Sequence, residues 1–555
     1  MKNYFFKKIF LIIFLILFSQ NVLSLQETYF VPMRDGVKLA TEVYRNENSP
    51  PSPAILLRTP YGRKSLIPKW IIEEFLKKGY VYVSQDMRGR GDSEGESFVF
   101  LDDGWGERQD GYDTVEWIAR QPWCNGKVGT FGPSAMGIVQ NLMAGAKPPN
   151  LVCQVIIVAA SSLYHEGAFQ GGAFRLGLAG GWLKMNKFPA KILREFKSHP
   201  NYDNMWELVN SRTKHNIMNV PALHIGGWFD IFQEGTLQSF KGRQENGAPG
   251  ARGKQLLVMG PWTHNIGEQP RGELKFPDAE TLYTKLKDKI VRFFDYYLKG
   301  IDTNITKEKP VEYYLMGDVD EKGDWNCWKT ADKWPPTSKN LKFYLRENKI
   351  LSLEKPSKEE IPDKFIYDPL TPVPTFGGCN LNELLEGPAG PRDQRKIEER
   401  SDVLIWTSDV LDKPLKVVGK IKVILYASSS AKDTDFTAKL TDVYPDGRSI
   451  LICDGIIRAR KRESDRKEVF MEPDKVYKFE IDLWSTAYVF NKGHKIRLAI
   501  SSSNYPRFDV NPNTGEKFKI VNFNVDKYVV AHQTIFHSRK YPSHLILPVL
   551  EEESD

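Results

Sequence analysis

Residues 127–137 read Lys-Val-Gly-Thr-Phe-Gly-Pro-Ser-Ala-Met-Gly and run straight into the apolar segment from Ile138 to Ala146. The order fits a short β-strand, a sharp turn carrying one serine, and the start of a helix. Glycines flank Ser134, and small neighbours let a backbone bend tightly enough to lift the serine Oγ clear of a sheet. The spacing is G-x-S-x-x-G, with Met136 where a nucleophile elbow usually has its second glycine. Turns rich in glycine and serine are common between strands and helices. The stretch therefore carries chemistry only if the chain also supplies a base, an acid and an oxyanion hole.

The surrounding pattern suits such a turn. Ala54 to Leu57, Gly79 to Ser84, Lys127 to Phe131 and Val152 to Val158 are short apolar strands. Helical faces lie between them, one near Trp70 to Lys78 and one through Tyr112, Val115, Trp117 and Ile118. This alternation predicts a doubly wound, mostly parallel α/β sheet with helices on both faces. From about 162 to 215 the rhythm breaks into Gly-rich turns, aromatics and helical segments with no convincing strand, which reads as a helical cap inserted over the site. Strands return at Val220 to Ile225 and Gln255 to Met259, followed by an amphipathic helix through Leu282, Leu286, Ile290, Phe293, Phe294 and Tyr297 that ends at Gly300.

Beyond about 340 alternating strands dominate, with a hairpin turn at Pro445-Asp446-Gly447-Arg448. A C-terminal β-sandwich of the jelly-roll kind is expected over 340–555. The division expected is a signal peptide over 1–24, an α/β domain over 25–161 and 216–339, the cap over 162–215, and the jelly roll.

The signal peptide follows from Lys2, Lys7 and Lys8 ahead of an apolar run from Ile9 to Phe18 and a cleavable end near Ser24. That run is short for a transmembrane helix. Export to a periplasmic or extracellular site is expected, with no membrane span after cleavage. A length of 555 residues requires more than one core. The 77 Lys and Arg against 70 Asp and Glu leave a net charge of +7, but the signs are interspersed. Even the cluster Arg458-Ala459-Arg460-Lys461-Arg462 reads as solvated surface, and no nucleic-acid partner is expected. The five cysteines show no metal spacing, and their odd number leaves at least one free thiol within a single chain.

Three residues stand at carboxyl ends of predicted strands, where doubly wound sheets place their sites. Ser134 ends the Lys127 strand, Asp230 ends Gly226-Gly227-Trp228-Phe229-Asp230, and His264 ends Gly260-Pro261-Trp262-Thr263-His264. Ser, Asp, His is the chain order of α/β-hydrolases. A serine hydroxyl is a weak nucleophile until an imidazole takes its proton, and a carboxylate must hold that imidazole in one tautomer. The backbone N–H of Ala135, at a helix N-terminus, supplies one oxyanion donor. Tyr61, in Arg58-Thr59-Pro60-Tyr61-Gly62, is a candidate for the second. Gln85-Asp86-Met87-Arg88-Gly89-Arg90-Gly91 reads as a structural loop whose Asp–Arg pairs hold the rim. The other histidines, His165, His215 and His224 among them, read as structural.

At these residues the chain resembles the CocE/NonD hydrolases, a family of esterases, acylases and X-Pro dipeptidyl-peptidases. The matching blocks are Arg58 to Tyr61, Gln85 to Gly91, Trp123 to Gly129, Gly132-Pro133-Ser134, Gly227 to Asp230 and Gly260 to His264, with Asp433 to Phe436 and Ser501 to Phe508 in the β-domain. The resemblance implies an α/β-hydrolase domain with an inserted helical cap and a jelly roll packed against both. It implies Ser134 as nucleophile, His264 as base, Asp230 as its orienter, and an oxyanion hole from the Tyr61 hydroxyl and the Ala135 amide. The G-x-S-x-x-G spacing is normal in this family. Tyrosine usually follows the nucleophile, and Ala135 stands there instead, so the acyl pocket has a smaller wall and substrate range does not transfer. The expected activity is hydrolysis of ester or amide bonds in small acyl substrates through an acyl-enzyme, with no cofactor and no metal. An X-Pro dipeptidyl-peptidase is the alternative, although no acidic pair for a substrate amine stands out. A secreted binding protein with an inert hydrolase fold is a third reading.

Overall fold

The computed structural model describes residues 24–64, 69–266, 272–279, 282–381, 383–516 and 527–551. Apart from Ser24, the expected signal peptide lies outside these residues.

The N-terminal sheet is built from β1 (Ser24–Pro32), β2 (Lys38–Asn46), β3 (Ser52–Thr59), β4 (Val81–Asp86), β5 (Cys124–Pro133) and β6 (Leu151–Ile157). A hairpin of β7 (Phe169–Gln170) and β8 (Ala173–Phe174) stands apart from it, and β9 (Ala222–Phe229), β10 (Leu256–Thr263), β11 (Val311–Gly317) and β12 (Cys327–Ala331) complete it. Its spatial order is β1-β2-β4-β3-β5-β6-β9-β10-β11-β12, parallel from β4 to β11 and antiparallel at both edges. The central strands are buried on both faces, which is why they read as apolar runs. Helices α1 (Lys69–Lys77), α2 (Asp110–Ala119) and α3 (Ala135–Ala146) follow β3, β4 and β5. Phe75 of α1 packs on one face with Ile55, Leu57 and Phe131, while Val115, Ile118 and Met143 of α2 and α3 pack on the other with Leu56, Val83 and Val128. The sheet is thus doubly wound, with Ser134 at the carboxyl end of a central strand.

The segment between β6 and β9 carries π-turns at Leu163–Ala168 and Leu176–Gly181 and the helices α4 (Trp182–Met185), α5 (Ala190–Ser198) and α6 (Asn204–Glu207). It also holds β7 and β8, against the reading of no strand there. Two residues per strand are too few for a period to show, and the turn depends on Gly171 and Gly172, both at positive φ. Two helices then complete the hydrolase domain, α7 (Gln233–Asn246) after β9 and α8 (Lys287–Lys299) after β10.

In the C-terminal domain the long strand Leu415–Ser429 pairs with Tyr477–Phe490 along one edge and with His544–Leu550 and Ala531–Phe536 along the other. A second layer joins Ser449–Arg458, Asp435–Val443, Lys495–Ser501 and Leu404–Thr407. Val423, Leu425, Phe436, Leu440, Phe479, Ile481 and Leu498 fill the space between the layers. This is a β-sandwich, and Met316 and Gly317 of β11 pair with Tyr488 and Val489, joining its sheet to that of the hydrolase domain.

One detail differs from the sequence reading. Arg458, Arg460 and Lys461 are buried rather than solvated. Arg458 pairs with Asp435 and Asp509, and Arg460 with Asp433, so the basic cluster is neutralised inside the fold. All five cysteines are free thiols. Among the described residues, no helix is long and apolar enough to cross a membrane.

Candidate active site

Ser134 occupies the turn between β5 and α3 with φ 58° and ψ −125°, a left-handed backbone that is strained for a serine. The Ser134 N–H donates to the Ile157 carbonyl at 2.9 Å, and the Ser134 carbonyl accepts from the Gly137 and Ile138 N–H groups at 2.8 and 2.9 Å. Both flanking glycines are required by close approach. A Cβ on Gly132 would lie 2.6 Å from the Met136 Cβ, and one on Gly137 would lie 2.7 Å from the Ala159 Cβ. The second glycine lets α3 settle against β6, while Met136 is buried in the apolar layer under the sheet.

Asp230 and His264 follow β9 and β10. The structure brings them together with Ser134: His264 Nδ1 lies 2.6 Å from Asp230 Oδ1, and His264 Nε2 lies 2.9 Å from Ser134 Oγ. Asp230 is fully buried, and Phe232 packs edge-on against the imidazole with ring centroids 5.6 Å apart. With its Nδ1 proton donated to the carboxylate, the imidazole presents a lone pair to the serine hydroxyl. The arrangement can move the serine proton onto Nε2 as Oγ attacks an electrophilic carbon.

Tyr61 and Ala135 stand beside Ser134 at the same cavity. The Ala135 N–H opens α3 and has no acceptor four residues back within the helix. The Tyr61 hydroxyl accepts a hydrogen bond from Trp182 Nε1 at 3.0 Å and lines the cavity beside Ser134. Burial raises the Tyr61 pKa above 10, partly offset by Trp182, Ser134 and the charge of Arg90, so the phenol keeps its proton and remains a donor.

The cavity above Ser134 measures about 590 Å³. Leu163, Leu178, Leu183 and Phe196 of the cap roof it, Ile138 and Val158 floor it, and Ile231 and Phe232 flank it. Leu381, from the segment leading into the sandwich, closes one side. No carboxylate lines it among the described residues. Nor do three or more His, Cys, Asp or Glu side chains gather to hold a metal ion among those residues.

The rim loop is partly as expected. Asp86 pairs with Arg63 from outside the loop, and Arg88 pairs with Asp35 and Asp110. A second Ser–His–Asp chain also exists: Ser162 Oγ lies 2.8 Å from His165 Nδ1, and His165 Nε2 lies 3.0 Å from Asp465 Oδ2. Ser162 is fully buried and does not line the cavity, so this chain has no access to a substrate.

Residues 35–191 and 185–265 match the X-Pro dipeptidyl-peptidase (S15) family, and residues 303–546 match the X-Pro dipeptidyl-peptidase C-terminal non-catalytic domain. Cocaine esterase of Rhodococcus sp. (strain MB1 Bresler) is 32% identical over 590 aligned residues, covering 95% of this chain and 99% of that protein. The chain belongs to the CocE/NonD family of serine hydrolases. Two solved structures are similar over most of their length. An α-amino acid ester hydrolase superposes with a TM-score of 0.81 at 25% identity, covering 95% of this chain and 96% of that one. An aminopeptidase from the marine sediment archaeon Thaumarchaeota archaeon gives 0.82 at 25%, with the same coverage.

As a CocE/NonD hydrolase the chain needs a pocket as well as a nucleophile, and the residues that shape it were not legible beforehand. Trp182, Phe232 and Leu381 sit in three separate segments and show no motif. The one available signal was the Gly180-Gly181 pair ahead of Trp182, which marks a turn but not the direction of the indole.

Proposed function

We propose that the chain hydrolyses esters of small, apolar acyl groups through an acyl-enzyme on Ser134. The observation that carries this is the hydrogen-bonded series Asp230–His264–Ser134 at the floor of an apolar cavity. Ser134 Oγ bonds to the substrate carbonyl carbon while its proton passes to His264 Nε2. The carbonyl π pair moves to oxygen, where the Tyr61 hydroxyl and the Ala135 N–H receive it. Collapse expels the alcohol, which takes the proton from His264. Water then enters by the same route, and the acid leaves.

Amide hydrolysis uses the same machinery with a poorer leaving group, so amides are expected to turn over more slowly. A substrate with a free amine fits less well, because no carboxylate among the described residues lines the cavity to pair with an ammonium. The test is a panel of p-nitrophenyl esters from acetate to benzoate run beside Ala-Pro-anilide. Hydrolysis of the larger esters is expected, and cleavage of the anilide alone would reverse the assignment. Export through residues 1–24 is part of the proposal, and the N-terminus of the mature protein, read by mass spectrometry, checks it.

A further inference from the structure

The hydrogen bond that Trp182 gives the Tyr61 hydroxyl restricts where the phenol's single proton can point. The Trp182 indole N–H is a donor only, so the phenolic oxygen must accept from it and the phenol proton must turn away. Ser134 lines the same cavity as Tyr61, with its own proton directed to His264 Nε2 at 2.9 Å. A bond accepted at the phenol oxygen strengthens the one the phenol gives.

We propose that Trp182 is a positioning residue of the oxyanion hole, holding the Tyr61 hydroxyl proton aimed at the oxygen of the bound carbonyl. This rests on the role assigned to Tyr61 above.

The indole is held as this task requires. Its ring stacks on Phe100 with centroids 6.1 Å apart and planes 15° apart, and meets Tyr61 edge to face at 87°. Arg90 ties the two supporting segments together: Nε donates to the Pro60 carbonyl at 2.9 Å and Nη2 to the Asn186 carbonyl at 2.7 Å. The Asn186 N–H in turn donates to the Trp182 carbonyl at 3.0 Å, closing a ring that contains both Tyr61 and Trp182. Trp182 belongs to the cap, so the donor reaches Tyr61 only when the cap is seated. The sandwich side fixes that seat, since a Cβ on Gly181 would lie 2.7 Å from the Leu385 Cδ2.

The test is a double-mutant cycle on the full chain, with p-nitrophenyl butyrate as substrate. Tyr61→Phe is expected to lower kcat roughly 10²- to 10³-fold. Trp182→Phe keeps an aromatic ring and removes the donor, and is expected to lower kcat roughly tenfold with KM changed less than about twofold. In the Tyr61→Phe background, Trp182→Phe should have no further effect. An equal loss in both backgrounds would show that Trp182 only packs, and no loss in the wild-type background would overturn the inference while leaving Tyr61 in place. An unchanged kcat for Tyr61→Phe would instead remove the oxyanion assignment itself. Should Trp182→Phe not fold, benzothienylalanine at position 182 puts sulfur in place of the indole N–H without changing shape, and the same cycle applies.

Discussion

The guanidinium of Arg175, in the cap, donates to the main-chain oxygen of Ile231 at 2.9 Å, one residue beyond Asp230. The same side chain donates to the carbonyls of Glu166 at 2.7 Å and Cys379 at 3.2 Å. One buried cation thus joins the cap, the loop after Asp230 and the segment entering the sandwich. Burial lowers its pKa to about 10, with Glu386 opposing the shift. Arg175→Met leaves three buried carbonyls without this donor and is expected to cost about 3–5 kcal/mol of unfolding free energy. Urea titration by tryptophan fluorescence measures this. Arg175→Lys should restore part of the loss.

Gly137→Ala tests the close approach of α3 to β6. The new Cβ meets the Ala159 Cβ at 2.7 Å and the Gly132 and Ile157 carbonyls at 3.1 Å, contacts that side-chain rotation cannot relieve. A loss of about 1–3 kcal/mol is expected, together with a fall in kcat as the turn bearing Ser134 shifts. Denaturation and steady-state kinetics on one preparation would show both.

Fold class was legible because period and strand length report burial directly. Strands β3 to β6 stand out as apolar runs, and the region beyond 340 as alternating strands, of which Tyr477–Phe490 buries Phe479 and Ile481 and exposes Lys478 and Glu480. The three residues of the Asp230–His264–Ser134 series were legible because each ends a strand. What stayed hidden is tertiary. Arg458 and Arg460 look like surface until Asp435, Asp509 and Asp433 are placed beside them. Likewise Trp182 is an ordinary cap aromatic until its indole is found on Tyr61.

Acid should destabilise the hydrolase domain through two buried histidines. Burial, then the charge of Arg243, holds His215 down to about 3 and His224 well below its ordinary 6.5. A depressed folded pKa gives stability that is present above 6.5 and lost as pH falls toward 3. Over that window the unfolded chain binds up to two more protons, so the contribution falls by as much as about 2.7 kcal/mol per pH unit. Urea midpoints at pH 7 and pH 5 should differ less in the His215→Gln/His224→Gln variant than in wild type.

Ala135 lines the cavity above Ser134. Ala135→Tyr keeps the backbone donor and fills space above Ser134. KM for a benzoate ester is expected to rise at least about tenfold while acetate hydrolysis changes little. A panel of acyl esters run on both proteins reads this directly.

The central claim is that Ser134 is the nucleophile. Peptide mass spectrometry after treatment with a fluorophosphonate tests it most directly. A single adduct on the peptide carrying Ser134 is expected, abolished in Ser134→Ala and strongly slowed in His264→Ala. Absence of an adduct on the folded protein, or an adduct on Ser162 instead, would contradict it.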